Sequence, residues 1–135
     1  MKKVNCILLV DDDETSNFIT QKIIAKLNIS SHTHSMKNGK EALSFIEENC
    51  DISNTFASGC PDLILLDLNM PVMDGMEFLE EFYTNKKIKQ ANDINIYVLS
   101  SSDNTKDMEK IAKYKVKGYI AKPMTAQKLM DIMSC

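Results

Sequence analysis

The chain has no hydrophobic run long enough to cross a bilayer, since a spanning helix needs about 20 consecutive apolar residues. Its first apolar run, Cys6 to Val10 with Val4 before it, stops at acids and is too short for the core of a signal peptide. No membrane association is expected. Cys6, Cys50, Cys60 and Cys135 form neither a C-x-x-C pair nor a metal-finger spacing, so a zinc module is not expected. We read the four as reduced thiols of a cytoplasmic protein. Positive charge is not in surplus: 16 Lys and Arg against 19 Asp and Glu give a formal net charge of -3. That balance offers no general attraction to nucleic acid or anionic lipid. There is also no internal repeat and no linker, and 135 residues fit one domain, residues 1–135.

What remains is the composition of a soluble globular protein, 44% hydrophobic and 26% charged. Short apolar runs alternate with segments of helical period, which points to repeated β-α units and not to grouped strands. The expected strands are Val4 to Val10, Ser31 to Ser35, Asp62 to Leu66, Ile94 to Leu99 and Lys117 to Ala121. Apolar residues at helical spacing predict five helices, carried by Ile19, Ile23, Ile24 and Leu27, by Ala42, Leu43 and Ile46, by Phe78, Leu79 and Phe82, by Met108, Ile111 and Ala112, and by Ala126, Leu129, Met130 and Met133. Leu63 to Leu66 is apolar on both alternating faces, as in a parallel sheet covered by helices on each side. Met108, Met130 and Met133 are read as core filling. His32 and His34 alternate, which places both on one strand face, but no nearby ligand completes a metal set with them. The stretch Asn49 to Gly59 reads as a loop, and Asn85 to Asp93 as a solvated loop or helix end.

In an open parallel α/β sheet, ligands bind outside the carboxyl ends of the strands. The first strand ends in Asp11, Asp12 and Asp13, the third in Asp67, the fourth in Ser100, Ser101 and Ser102, and the fifth in Lys122 and Pro123. Carboxylates gathered within a few ångströms repel one another unless one is protonated or a cation lies between them. Mg²⁺ suits such a set, because it takes oxygen ligands and binds one or two carboxylates together with a phosphoryl oxygen. Ser100 could donate a hydrogen bond to that phosphoryl group and Lys122 could neutralise it. Asp67, between the acidic pair and the lysine, is the candidate nucleophile for an aspartyl phosphate.

Four segments together carry a resemblance: LLVDDDE (Leu8 to Glu14), PDLILLDLNMPVMDG (Pro61 to Gly75), YVLSSSD (Tyr97 to Asp103) and KGYIAKPMT (Lys117 to Thr125). Over essentially its whole length the sequence resembles a response-regulator receiver domain of two-component signalling. The resemblance implies a flavodoxin-like, doubly wound five-stranded parallel sheet in the order 2-1-3-4-5 with five helices. It implies Asp67 as phospho-acceptor, Asp12 as a direct Mg²⁺ ligand with Asp11 acting through water, and the backbone carbonyl of Asn69 as a further ligand. Ser100 matches the switch hydroxyl, with Ser101 as the fallback in register, and Lys122 matches the family lysine, aimed by a cis bond to Pro123. Tyr119 matches the aromatic residue that turns inward on activation. Ser102 and Asn69 occupy positions that tune loss of the phosphoryl group. Asp13 reads as the start of the first helix, where a carboxylate is favoured.

The function so implied is a phospho-accepting regulator, fed by a histidine kinase or a histidine phosphotransfer protein. Its output would be the surface of the fourth helix, fifth strand and fifth helix, with a phosphorylation-dependent dimer among the outcomes, and not turnover of a small substrate. Since one helix follows Thr125, we expect a stand-alone regulator, with the receiver of a hybrid kinase as the alternative. A module that binds partners without phosphorylation is a further alternative. A Mg²⁺-dependent small-molecule phosphohydrolase also uses an aspartyl nucleophile, but it favours D-x-D-x-T after the first strand. Here Asp11, Asp13 and Thr15 fit that spacing while Asp67 stands apart from it.

Overall fold

The computed structural model describes residues 4–50, 60–85, 88, 94–100 and 105–134. The segment LILLD, Leu63–Asp67, is buried at every position, as expected for a strand walled in on both faces. It is β3, at the centre of a five-stranded sheet ordered β2-β1-β3-β4-β5. The other strands are β1 (Val4–Val10), β2 (Ser30–Met36), β4 (Asn95–Ser100) and β5 (Gly118–Ala121), and every pairing is parallel. Parallel neighbours need crossovers, here α1 (Glu14–Leu27), α2 (Gly39–Asn49), α3 (Gly75–Thr84) and α4 (Thr105–Ile111), with α5 (Ala126–Met133) after β5.

Successive side chains of a strand point to opposite faces, so the sheet has two cores. Leu8, Val10, Ile64, Leu66, Ile96 and Val98 face α2, α3 and α4 through Ile46, Phe78, Phe82 and Ile111. Ile7, Leu9, Leu63, Leu65, Leu99 and Ile120 face α1 and α5 through Ile24, Leu129 and Met133.

Local chemistry sets the helix ends. Asp13 caps α1, accepting from the backbone N–H groups of Thr15 and Ser16, and the helix stops at Asn28 in the left-handed conformation, φ 52°. Asn38 caps α2 and Thr125 caps α5. Asp74 and Glu77 form a reciprocal capping box on α3.

Sequence and structure part in a few places. Asp62 is not the first residue of β3. Its carboxylate accepts from the backbone N–H groups of Asn5 and Cys6 at 2.7 and 3.2 Å, clamping the start of β1 from outside the ladder. Ile19 and Met108 are exposed, at 48% and 44%, and Met130 is half-buried, so of the three helix methionines only Met133 fills the core. The inward stripe of α1 is Thr20 and Ile24, and α4 buries Ile111. Helical spacing identifies apolar residues near one face without ranking their depth. Ile88, in the stretch read as a solvated loop, is 4% exposed and joins the core under α2 and α3. Cys50 and Cys60 are not reduced thiols but a disulfide, with Cα atoms 4.8 Å apart. Sequence spacing alone does not show which cysteines meet, and residues 51–59 between them, part of the stretch read as a loop, lie outside the described residues. Cys6 is a free buried thiol, and Cys135 lies outside the described residues.

Candidate functional site

Because Val10 pairs with Leu66 in parallel register, the residues that follow, Asp11 and Asp67, emerge side by side at the carboxyl edge of the sheet. Asp67 pairs with Leu99 and Ser100 with Ala121, which brings Ser100 and Lys122 to the same edge. The backbone N–H of Lys122 donates to the carbonyl of Ser100 at 2.8 Å. The outcome is a cluster in which carboxylate oxygens of Asp11, Asp12 and Asp67 all lie within 4.8 Å of one another.

Asp11 is held at every polar atom. Its backbone N–H donates to the Met36 carbonyl at 3.0 Å and its carbonyl accepts from the Asn17 side-chain amide at 2.8 Å. One carboxylate oxygen accepts from the Asp13 N–H at 3.0 Å, the other from Lys122 Nζ at 2.7 Å. Asp12, next to it, is exposed. Asp11 is thereby buried and fixed in place, whereas the Asp12 carboxylate is open to solvent.

Lys122 Nζ also lies 3.4 Å from Asp67 Oδ2, while Asp67 Oδ1 accepts from the Asn69 N–H at 3.3 Å. Burial, then the charge of Asp11, pushes the Asp67 carboxyl up to about 6, against the pull of Lys122 and Asn69. For Lys122, burial works against the ammonium, but its hydrogen bond to Asp11 and the charges of Asp11 and Asp67 hold it above the ordinary lysine value. One lysine among three carboxylates leaves the cluster short of positive charge. The donor set, all oxygen and part-exposed, fits a hard divalent cation: Asp12 and Asp67 could ligate it, supported by Asp11.

The frame around the cluster is tight. A Cβ on Gly75 would stand 2.7 Å from the Asp67 carbonyl oxygen and from Leu68 Cα, so the start of α3 can approach the end of β3 this closely only with glycine there. The Lys122–Pro123 bond is cis. Tyr119, on β5, is half-buried against the core under α2, α3 and α4. Beside the cluster, Asp13, Ser16, Ile19, Lys122 and Met124 line a cleft of about 320 Å³ between α1 and the turn after β5. Ser101 and Ser102 lie outside the described residues. His34 packs on Phe45, ring centroids 4.9 Å apart, and neither histidine belongs to the carboxylate cluster. Asn17 and Met36, which hold Asp11 from α1 and β2, escaped the sequence reading. Asn17 shares no motif with the acids, and Met36 acts through its backbone.

An open, doubly wound α/β domain with acids and a lysine converging at the carboxyl edge of its sheet defines the class. Residues 7–134 match the profile of the response regulator receiver domain, and the chain belongs to that family, the receivers of two-component signalling. Response regulator Rcp1 of Synechocystis sp. is 32% identical over 129 residues, covering 94% of this chain and 82% of Rcp1. The structure of a two-component response regulator from Cytophaga hutchinsonii superposes with a TM-score of 0.84 at 28% identity, covering 98% of this chain and 96% of that one. The phosphorylated cyanobacterial phytochrome response regulator RcpA gives a TM-score of 0.74 at 30% identity, and the Mn²⁺-bound form of Rcp1 one of 0.69 at 30%, each covering 96% of this chain and 88% of the other.

Proposed function

We propose that this chain forms a cytoplasmic receiver switch, phosphorylated on Asp67 by a histidine kinase or a histidine phosphotransfer protein. The observation that carries the reading is the convergence of the Asp11, Asp12 and Asp67 carboxylates within 4.8 Å, with Lys122 Nζ 3.4 Å from Asp67. The phosphorylated state of RcpA and the Mn²⁺-bound state of Rcp1, each 30% identical to this chain, support it.

A carboxylate oxygen of Asp67 attacks the phosphorus of a phosphohistidine. The new O–P bond forms as the P–N bond breaks, and the imidazole leaves with the electron pair and takes a proton. Asp67 needs no base, since above about pH 6 its carboxyl is already ionised. Asp12, Asp67 and the Asn69 carbonyl, with Asp11 in support, would hold Mg²⁺, which would neutralise charge on the transferring phosphoryl group. Lys122, held by Asp11, pairs with a phosphoryl oxygen, and the Ser100 hydroxyl donates to another. That bond draws the end of β4 inward, Tyr119 follows, and the surface of α4, β5 and α5 changes for a downstream protein or a second copy of the chain. The output is that surface and not turnover of a small molecule.

Incubation with acetyl phosphate and Mg²⁺ tests the reading. Intact mass should gain one phosphoryl group, peptide mapping should place it on Asp67, and Asp67→Asn should abolish it. Labelling of Asp67→Asn at the normal rate would defeat the assignment.

A further inference from the structure

At the α2–β3 connection the structure joins two side chains with redox chemistry, away from the carboxylates. Cys50 caps the end of α2, 3% exposed, with its N–H on the Ile46 carbonyl at 2.7 Å. Its side chain is packed in the core with Leu43, Ile46 and Phe82. Cys60, ten residues on and disulfide-bonded to it, is half-buried and leads into β3. The two residues are joined through their sulfurs but are unequally exposed, Cys50 buried and Cys60 half-buried.

We propose that Cys50–Cys60 is a thiol–disulfide exchange site, with Cys60 the sulfur open to an incoming thiol and Cys50 the resolving thiol, and that its partner is a low-molecular-weight thiol or disulfide. Exchange requires a thiolate to reach the sulfur it attacks, and access singles out Cys60. In reduction, the incoming thiolate bonds to Cys60 Sγ, the Cys50–Cys60 bond breaks, and its electron pair leaves with Cys50 Sγ, which takes a proton. A second thiol then attacks the mixed disulfide at the small molecule's sulfur, and Cys60 leaves and is protonated. Two electrons pass to the cysteine pair and the small thiol becomes a disulfide. Oxidation is the reverse, with that small disulfide as oxidant. Cys6 does not compete: it is 1% exposed on β1, and burial, then the charge of Asp62, pushes its thiol up to about 11.

The staple ties the end of α2 to the strand start that already clamps its neighbours. Two residues past Cys60, Asp62 holds Asn5 and Cys6 of β1 through its carboxylate and Asn95 of β4 through its carbonyl. Cross-linking across a loop of this length restricts the unfolded chain, so the oxidised form should melt about 10 °C above the reduced one.

The experiment equilibrates the Cys135→Ser protein with mixtures of reduced and oxidised glutathione, reading intact mass, alkylated peptides and melting temperature. Expected are interconversion of a Cys50–Cys60 dithiol and disulfide, a drop of about 10 °C on reduction, glutathione captured on Cys60 in Cys50→Ser, and an unmodified Cys50 in folded Cys60→Ser. Circular dichroism establishes that both serine variants fold. Equal capture by either cysteine, a pair that stays dithiol in excess oxidised glutathione, or a disulfide that survives excess reduced glutathione would each overturn the proposal. Acetyl phosphate labelling of Asp67 in the same samples keeps this result separate from the acceptor reading.

Discussion

Asn17, in the first turns of α1, donates its side-chain amide to the backbone carbonyl of Asp11 across 2.8 Å. The bond ties the helix directly to the strand end that supports Lys122. Asn17→Ala leaves that part-buried carbonyl without its partner, at an expected cost of about 1 kcal/mol in stability. Because the loop carrying Asp12 is released with it, Mg²⁺ affinity should fall about fivefold, read by calorimetric titration beside urea unfolding. A variant destabilised by that amount but with unchanged Mg²⁺ affinity would show that Asn17 serves the fold alone.

Asp67 sets a pH dependence. Its carboxyl is raised from 3.8 to about 6 in the fold, so the unfolded chain ionises first as pH rises. The stability held by the protonated form is complete below pH 4 and is lost as pH climbs to about 6. The full loss is about 3 kcal/mol at most. In chelator, Asp67→Asn should therefore be more stable than wild type at pH 7 and close to it at pH 4, and Mg²⁺ should narrow the gap. Denaturant melts across that range check it, and a gap that does not change with pH would remove the repulsion argument.

Lys122 lies between Asp11, whose side chain is 3% exposed, and Asp67, at 8%. Lys122→Met leaves two buried carboxylates facing each other, which should cost about 3 kcal/mol without metal. Added Mg²⁺ should recover part of that loss and bind more tightly than to wild type, since a competing cation has gone. Thermal melts with and without Mg²⁺ decide the matter. Unaltered metal affinity would mean that the lysine and the ion do not share the carboxylates.

Gly75→Ala sets a Cβ 2.7 Å from the Asp67 carbonyl oxygen and Leu68 Cα, both backbone. α3 must shift away from β3, and a loss of 2 kcal/mol or more is expected, of the size overpacking brings. Gly118→Ala is the control: its Cβ would meet the edge of the Tyr97 ring at 3.1 Å, a side chain that can move. Equal losses in the two variants would refute the distinction.

Much of this molecule is local and was legible in the chain. The apolar run of Leu63 to Leu66 became the buried β3, and the five strands and five helices among the described residues follow the alternation of periods. Asp13 became a helix cap because a carboxylate ahead of a first turn meets free N–H groups wherever the helix lies. What the sequence could not supply were relations across distance. Lys122 meets Asp11 from 111 residues away, and only the parallel registers of β1 with β3, β3 with β4 and β4 with β5 bring them to one edge. The Cys50–Cys60 bond, the inward place of Ile88 and the exposure of Ile19 and Met108 likewise depend on which element packs against which. The weakened acidity of Asp67 arises the same way: charge and burial act through space, and the space around Asp67 exists only once the sheet has formed.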